Sequence, residues 1–185
     1  MRNARSTGHE MKTTRHASVP VVRRTLHVID IENEVGGPNA SVDDVRRWFA
    51  VYRSQIVVIQ PGDQVIVGAS HRAAKTVWFA LLGENIQRRV RSGPDGGELS
   101  ITDGLDLAHL SRAGFSRVML CSADGGLVHL ALEARAVGMQ VHQVIGLGKP
   151  SRVLSAVVHT RTVIRPSALR AVTVHLRHDL ADRAA

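Results

Sequence analysis

The chain has 185 residues, 44 % of them apolar, which suits one domain with a sizeable buried core. No apolar run is long enough to span a bilayer and none follows the basic N-terminus as a secretory signal would, so a helical membrane protein is excluded. A single cysteine, Cys121, excludes an intramolecular disulfide and fits a reducing cytoplasm, while the net charge of +8 points to a polyanionic partner.

That charge is unevenly placed. Residues 1–24 hold six Lys/Arg against one acid and residues 161–185 hold five against two, whereas residues 25–160 carry thirteen of each. Basic ends on a neutral body suit phosphate neutralisation, although a solubilising flank has the same composition. Three segments are expected: a flexible basic leader over 1–24, a folded body over 25–165 and an extension over 166–185. Pattern leaves the extension open as strand, helix or arm. Met11 offers a second start for the leader.

The body opens with "TLHVIDI" (25–31), an apolar, β-branched run that predicts a strand. In "PNASVDDVRRWFAVYRSQ", Ser41 and Asp44 stand at capping-box spacing, and Val45, Trp48, Phe49 and Tyr52 fall on one helical face. That aromatic stripe reads as core rather than as a base-stacking platform. "DQVIVGAS" (63–70) predicts the second strand, and Ala74, Val77, Trp78 and Leu81 mark the next helix, ended by Gly83. "NIQRRVRS" (85–92) is a weaker third strand. A turn, "GPDGGE", leads into a helix expected over 98–113. "RVMLCSA" (117–123) is the fourth strand, and Leu127, Leu130, Ala131 and Ala134 stripe the helix after it. "QVHQVIG" (140–146) is the fifth strand, followed by a short helix capped by Ser151. Alternation at this spacing predicts a mainly parallel sheet of five or six strands in a three-layer α/β/α sandwich. "GLGKP" fails the P-loop pattern, because Gln143 stands where the first glycine is needed.

In an open parallel sheet, ligands sit beyond the carboxyl ends of the strands, where strand order reverses. The first strand ends at Asp30 and the fourth runs into "CSAD", Ser122 to Asp124. In a 3-2-1-4-5 order these strands are neighbours and both aspartates face one crevice. Two ionised carboxylates held close together repel and call for a cation or a shared proton, and oxygen ligands favour Mg²⁺ or Mn²⁺. "GGELSITDGLD" offers Glu98, Asp103 and Asp106 as further acids. Glu98 and Asp103 stand about 140° apart on an ideal helix, so both face the cleft only if Glu98 precedes the first full turn. Acids in a first turn also arise for dipole reasons alone.

"HVIDIEN" resembles the opening motif of NYN domains, a branch of the PIN-like nucleases. "RVMLCSADGGLVHLALEARAVGMQVHQV" is similar to that family's fourth-strand, helix and fifth-strand segment, "GGELSITDGLD" to its "GxDxxLxxD", and "PSRVLSAVVHTRTVI" to its closing stretch. The four motifs run in order over about residues 25–165. The resemblance implies a metal-dependent ribonuclease whose clustered acids hold Mg²⁺ or Mn²⁺. Asp30, Asp124, Glu98 and Asp103 then match the catalytic and metal-binding acids. Asn33 matches the amide after the first aspartate, and Ser122 the hydroxyl before the fourth-strand one. The pattern is also departed from. Glu98 stands for an aspartate, Asp103 is one residue short of its usual spacing, and Ala123 replaces a glycine. Gly126 and Leu127 replace an aspartate and a phenylalanine, and Val158-His159 replaces Ala-Asp.

In such an enzyme the ion would be held by Asp30, Asp124 and one of Glu98 or Asp103, with Asn33, Ser122 and Glu32 as supporting groups. Glu32 needs a bend in the chain to join them. Since an acidic cleft repels RNA, Arg72, Lys75, Arg91, Lys149, Ser151 and Arg152 are the candidates for gripping phosphates. Any one of the Lys or Arg residues also reads as an ordinary surface cation, while Ser151 would contribute backbone N–H donors at a helix N-terminus. The ten histidines, His129 and His142 among them, form no ligand-spaced pair with Cys121, which reads as a small buried hydrophobe. Three readings result: a Mg²⁺/Mn²⁺-dependent ribonuclease acting on RNA, an RNA-binding or assembly module that has lost part of the acid set, and a phosphatase-like or nucleotide-binding domain. The third lacks its motifs. No membrane partner is expected, and self-association as a homodimer is left open.

Overall fold

The β-branched run that opens the body becomes β1 (Arg24–Asp30) in the computed structural model, which describes residues 23–93 and 100–171. After it come α1 (Ile31–Val35), α2 (Val42–Val51), β2 (Gln64–Ser70), α3 (His71–Ala80) and β3 (Gln87–Arg91). The second half supplies α4 (Leu107–Arg112), β4 (Phe115–Cys121), α5 (Val128–Ala136), β5 (Gln140–Ile145), α6 (Arg152–Val157) and β6 (Thr160–Val163), then a last helix, α7, over 166–171.

All six strands are parallel, in the order β3-β2-β1-β4-β5-β6. One face packs Ile29, Val67 and Cys121 beneath α1, α2, α3 and α7; the other packs Val28, Ile66 and Leu120 beneath α4, α5 and α6. The result is a three-layer α/β/α sandwich. Helices on both faces explain why β1, β2 and β4 are buried along most of their length instead of alternating. At the sheet's edge, β3 (QRRVR) is mostly exposed, and its arginines discourage edge-to-edge pairing.

The local signals behave as their chemistry requires. Ser41 Oγ accepts from the Asp44 amide, and the Asp44 side chain accepts from the Ser41 amide, closing the capping box of α2. Val45, Trp48, Phe49 and Tyr52 are all buried on its inner face. The stretch expected as one helix over 98–113 is instead broken. Helical turns end at 102, Gly104 takes a left-handed φ of 67°, and Asp106 caps α4 by accepting from the His109 amide. A glycine in that conformation beside a new N-cap ends one helix and starts another. β1 also stops at Asp30, one residue earlier than its apolar run suggests, because Ile31 already belongs to α1.

Candidate functional site at the ends of strands β1 and β4

Register pairs Ile29 with Cys121, so Asp30 at the carboxyl end of β1 lies alongside Ser122 just beyond β4. These are the central strands, and the order reverses between them: β2 and β3 extend one way, β5 and β6 the other. Asp30 is buried, and Asp124 is half-buried in the loop beyond β4.

The Asp124 loop is held from three sides. Asn33 Oδ1 accepts from the Ala123 amide at 2.8 Å, the Ser151 amide donates to the Ala123 carbonyl at 2.9 Å, and Gln143 Nε2 donates to the Ser122 carbonyl at 2.9 Å. Ser122 Oγ accepts from the Asp124 amide at 3.0 Å, and Asp124 Oδ1 accepts from the Gly126 amide at 3.1 Å. The loop after β5 packs closely on α1, which carries Asn33. A Cβ on Gly148 would collide with the Asn33 side chain, and one on Gly146 with the backbone of Glu34. Asn33 and Ser122 therefore shape the segment that carries Asp124, and so does Gln143, which sequence reading missed. Its signal was an amide beside the apolar pair Val144-Ile145 of β5; it is fully buried and satisfied at its other end by the Ser155 hydroxyl at 3.2 Å.

Glu34 is the second omission. It is fully buried, its Oε2 accepts from Trp48 Nε1 at 2.9 Å, and its Oε1 has no hydrogen-bond partner among the described residues. Burial pushes its carboxyl up to about 8; the Gly146 amide and the Trp48 indole oppose the shift, and the negative charge of Asp30 adds to it. Asp30 and Glu34 are thus close enough to sense each other. A spacing of four across a strand-to-helix corner was the available signal. Below them on the same face, Trp48 stacks on Tyr52, whose hydroxyl is 2.6 Å from His27 Nδ1. Burial pushes the Cys121 thiol up and makes it the inert hydrophobe its position suggests.

The remaining expected residues are dispersed. Glu32 turns toward β2, where Oε1 accepts from the Ser70 amide, so the bend it needed exists but leads to the start of α3. Asp103 is exposed and 3.9 Å from Arg91 at the outer edge. Two strand spacings, about 9.5 Å, separate β3 from β1. Glu98 lies outside the described residues. Among the described residues, no three His, Cys, Asp or Glu side chains come together as a group able to hold a metal ion. Asp30 and Asp124 carry carboxylate oxygens, the donor type that suits a hard divalent cation, whereas the Asn33 and Ser122 oxygens are engaged by the Ala123 and Asp124 amides.

Of the cations, Arg72 and Lys75 are exposed in the first two turns of α3, Arg91 is exposed at the carboxyl end of β3, and Lys149 and Arg152 flank Ser151. The Ser151 amide is engaged by Ala123 and its hydroxyl by the Leu154 amide, so the cations on either side are what this corner presents outward. Arg89 instead reaches inward to the carbonyls of Ile101 and Asp103, at 3.0 and 2.6 Å. A cavity of about 780 Å³ opens at the opposite end, among Thr25, Phe115, Arg117 and Gln140 at the strands' amino ends.

Fold and site together define an open, all-parallel α/β/α protein with carboxylates at its central switch point. No family model matches the chain, and no curated protein matches it in sequence. A crystal structure of a protein of unknown function from Vibrio parahaemolyticus RIMD 2210633 is similar to it with a TM-score of 0.47 and 13 % identity, covering 81 % of this chain and 98 % of that one.

Proposed function

We propose that the protein is a Mg²⁺- or Mn²⁺-dependent ribonuclease that hydrolyses RNA phosphodiester bonds at the crevice between β1 and β4. The observation that carries this reading is the adjacency of those strands at the sheet's switch point, with Asp30 on one and Asp124 just beyond the other. Resemblance to NYN domains supplies the reaction class.

Asp30 and Asp124 would hold the ion. When bound, it neutralises charge on the scissile phosphate and makes water more acidic. Asn33, Ser122 and Gln143 keep the Asp124 segment in place through the hydrogen bonds described above. Arg72, Lys75, Lys149 and Arg152 offset the repulsion between an acidic crevice and the RNA backbone. Glu98 remains the candidate third acid.

One feature favours a second reading, an RNA-binding module without catalysis: Gly126 stands where the family has an aspartate, and the Asp124 carboxylate bonds its amide. Labelled single-stranded RNA, incubated with and without Mn²⁺ or Mg²⁺, separates the two. Metal-dependent cleavage that is lost in both Asp30→Asn and Asp124→Asn, with both variants folded by circular dichroism, supports the enzyme. Metal-independent binding with no cleavage by the wild-type chain overturns it in favour of the module.

A further inference from the structure

We infer that the outward face of α3 is the path along which single-stranded RNA leaves the acidic crevice, with Phe79 as the platform on which one of its bases stacks. This inference rests on the RNA reading above and adds to it a direction and a base contact. Arg72, Lys75 and Phe79 stand at i, i+3 and i+7 of α3, Leu82 follows just past its end, and all four are exposed. The three helical positions fall within about 60° of one another, so they form one stripe along about 10.5 Å of helix. Neither the core nor helix stability accounts for it. Phe79 is 55 % exposed and Leu82 63 %, outside both apolar clusters. Early in a helix the dipole favours acids over cations, yet α3 (HRAAKTVWFA) contains no acid at all.

Three observations select single-stranded RNA as the occupant. The first is charge. Arg72, Lys75 and the neighbouring Arg46 of α2 are exposed and make no ion pair among the described residues. Such a face suits a polyanion, and it sets two copies of itself against each other by repulsion. The second is the ring among those cations. The Arg46 guanidinium lies 5.6 Å from the centre of Phe79, and its Nε donates to the Ala80 carbonyl at 3.4 Å, which holds cation and ring together at the surface. A neighbouring pair repeats the arrangement, with Arg88 of β3 lying 5.9 Å from the centre of the Trp78 ring. An exposed ring beside guanidinium groups offers a stacking surface to any base, and only an unpaired strand has bases free to use it. The third is continuity with the crevice. Register sets Asp30 beside Gly68, and Ser70, the N-cap of α3, gives its amide to Glu32, two residues beyond Asp30. Arg72 stands two residues past Ser70, so the stripe begins where the acids are.

The test uses the full chain in excess EDTA and a short labelled single-stranded RNA, read by fluorescence anisotropy, with an abasic strand and a duplex of the same length beside it. Phe79→Leu keeps an apolar side chain and removes the ring. It should weaken single-stranded RNA about tenfold, the scale of one base–aromatic stack, whereas Phe79→Trp should bind at least as tightly as the wild type. On the abasic strand the wild type and Phe79→Leu should bind equally, because only the cations are engaged. Both variants should keep the wild-type circular dichroism spectrum, since the side chain lies outside the core. Unaltered RNA affinity in Phe79→Leu, an equal loss on the abasic strand, an equal loss on the duplex, or no RNA binding would each overturn the platform. Phe79-dependent binding of polyglutamate, or Phe79-dependent dimerisation in sedimentation, with RNA affinity unchanged, would overturn it by assigning the face to an acidic protein or to a second copy. Because EDTA is present throughout, a failure of metal-dependent cleavage would leave this result readable. Unaltered affinity in Phe79→Leu would leave the cleavage reading intact.

Discussion

Glu34 carries its proton through the neutral range because its burial opposes charge more strongly than Trp48 and Gly146 favour it. A carboxyl whose folded pKa is about 8, against an ordinary 4.5, binds more protons folded than unfolded. Its contribution to stability is therefore full below about pH 4.5 and is lost as the pH rises through about 8. His27 acts on the other flank: burial lowers its pKa, so stability falls as the pH drops below its ordinary value of 6.5. Glu34→Gln keeps an acceptor for the Trp48 indole and cannot ionise. In urea titrations it should match the wild type near about pH 4.5 and exceed it above about pH 8 by on the order of a few kcal/mol. A constant difference across the range would contradict a buried, proton-holding Glu34.

At the scale of elements, the end of β4 is held by β5 and α6 as much as by its own ladder. The β4–β5 pairing stops at Cys121 and Val144, and from there Gln143 replaces the missing backbone partner of Ser122. A buried amide in a central strand is costly unless both ends are bonded, and here both are. Gln143→Leu keeps the volume and leaves the Ser122 carbonyl without its donor. We expect a stability loss of about 1–3 kcal/mol by denaturant unfolding, with faster hydrogen exchange at Ala123 and Asp124. Exchange unchanged there would mean that Asn33 and Ser151 hold the loop unaided.

Across the whole molecule, a body with balanced charge presents acids at the sheet's centre and cations at its flanks. Removing both Arg72 and Lys75, exposed on α3, should weaken single-stranded RNA binding. It should also flatten the dependence of log affinity on log salt by roughly 0.7 for each phosphate no longer neutralised. The unfolding midpoint should stay unchanged, because neither side chain enters the core. An unaltered salt slope would remove α3 from the RNA path.

Much of this organisation was legible along the chain. Period-two and continuous apolar runs located all of the first five strands, and the Ser41–Asp44 box and the Val45–Tyr52 stripe described α2, because these patterns depend on neighbours within one or two turns. The parallel three-layer class followed from alternation, since a right-handed crossover leaves few other arrangements. Asp30 and Asp124 could be singled out because strand ends are visible in sequence. The destination of Glu32, the burial of Glu34, the bond from Gln143 to Ser122 and the outward position of Asp103 were not legible. Each depends on which strands are neighbours and on where a helix turns back; the hydrogen-bonded partners of Glu34, Gln143 and Glu32 stand 14 to 38 residues away. Sequence by itself determined the first five strands, the helix that Ser41 caps, the layers and the two acids at or just beyond strand ends, because local periodicity dictates them. Tertiary structure alone decided which polar groups lost water and which met, because desolvation and long-range pairing exist only once the sheet is assembled.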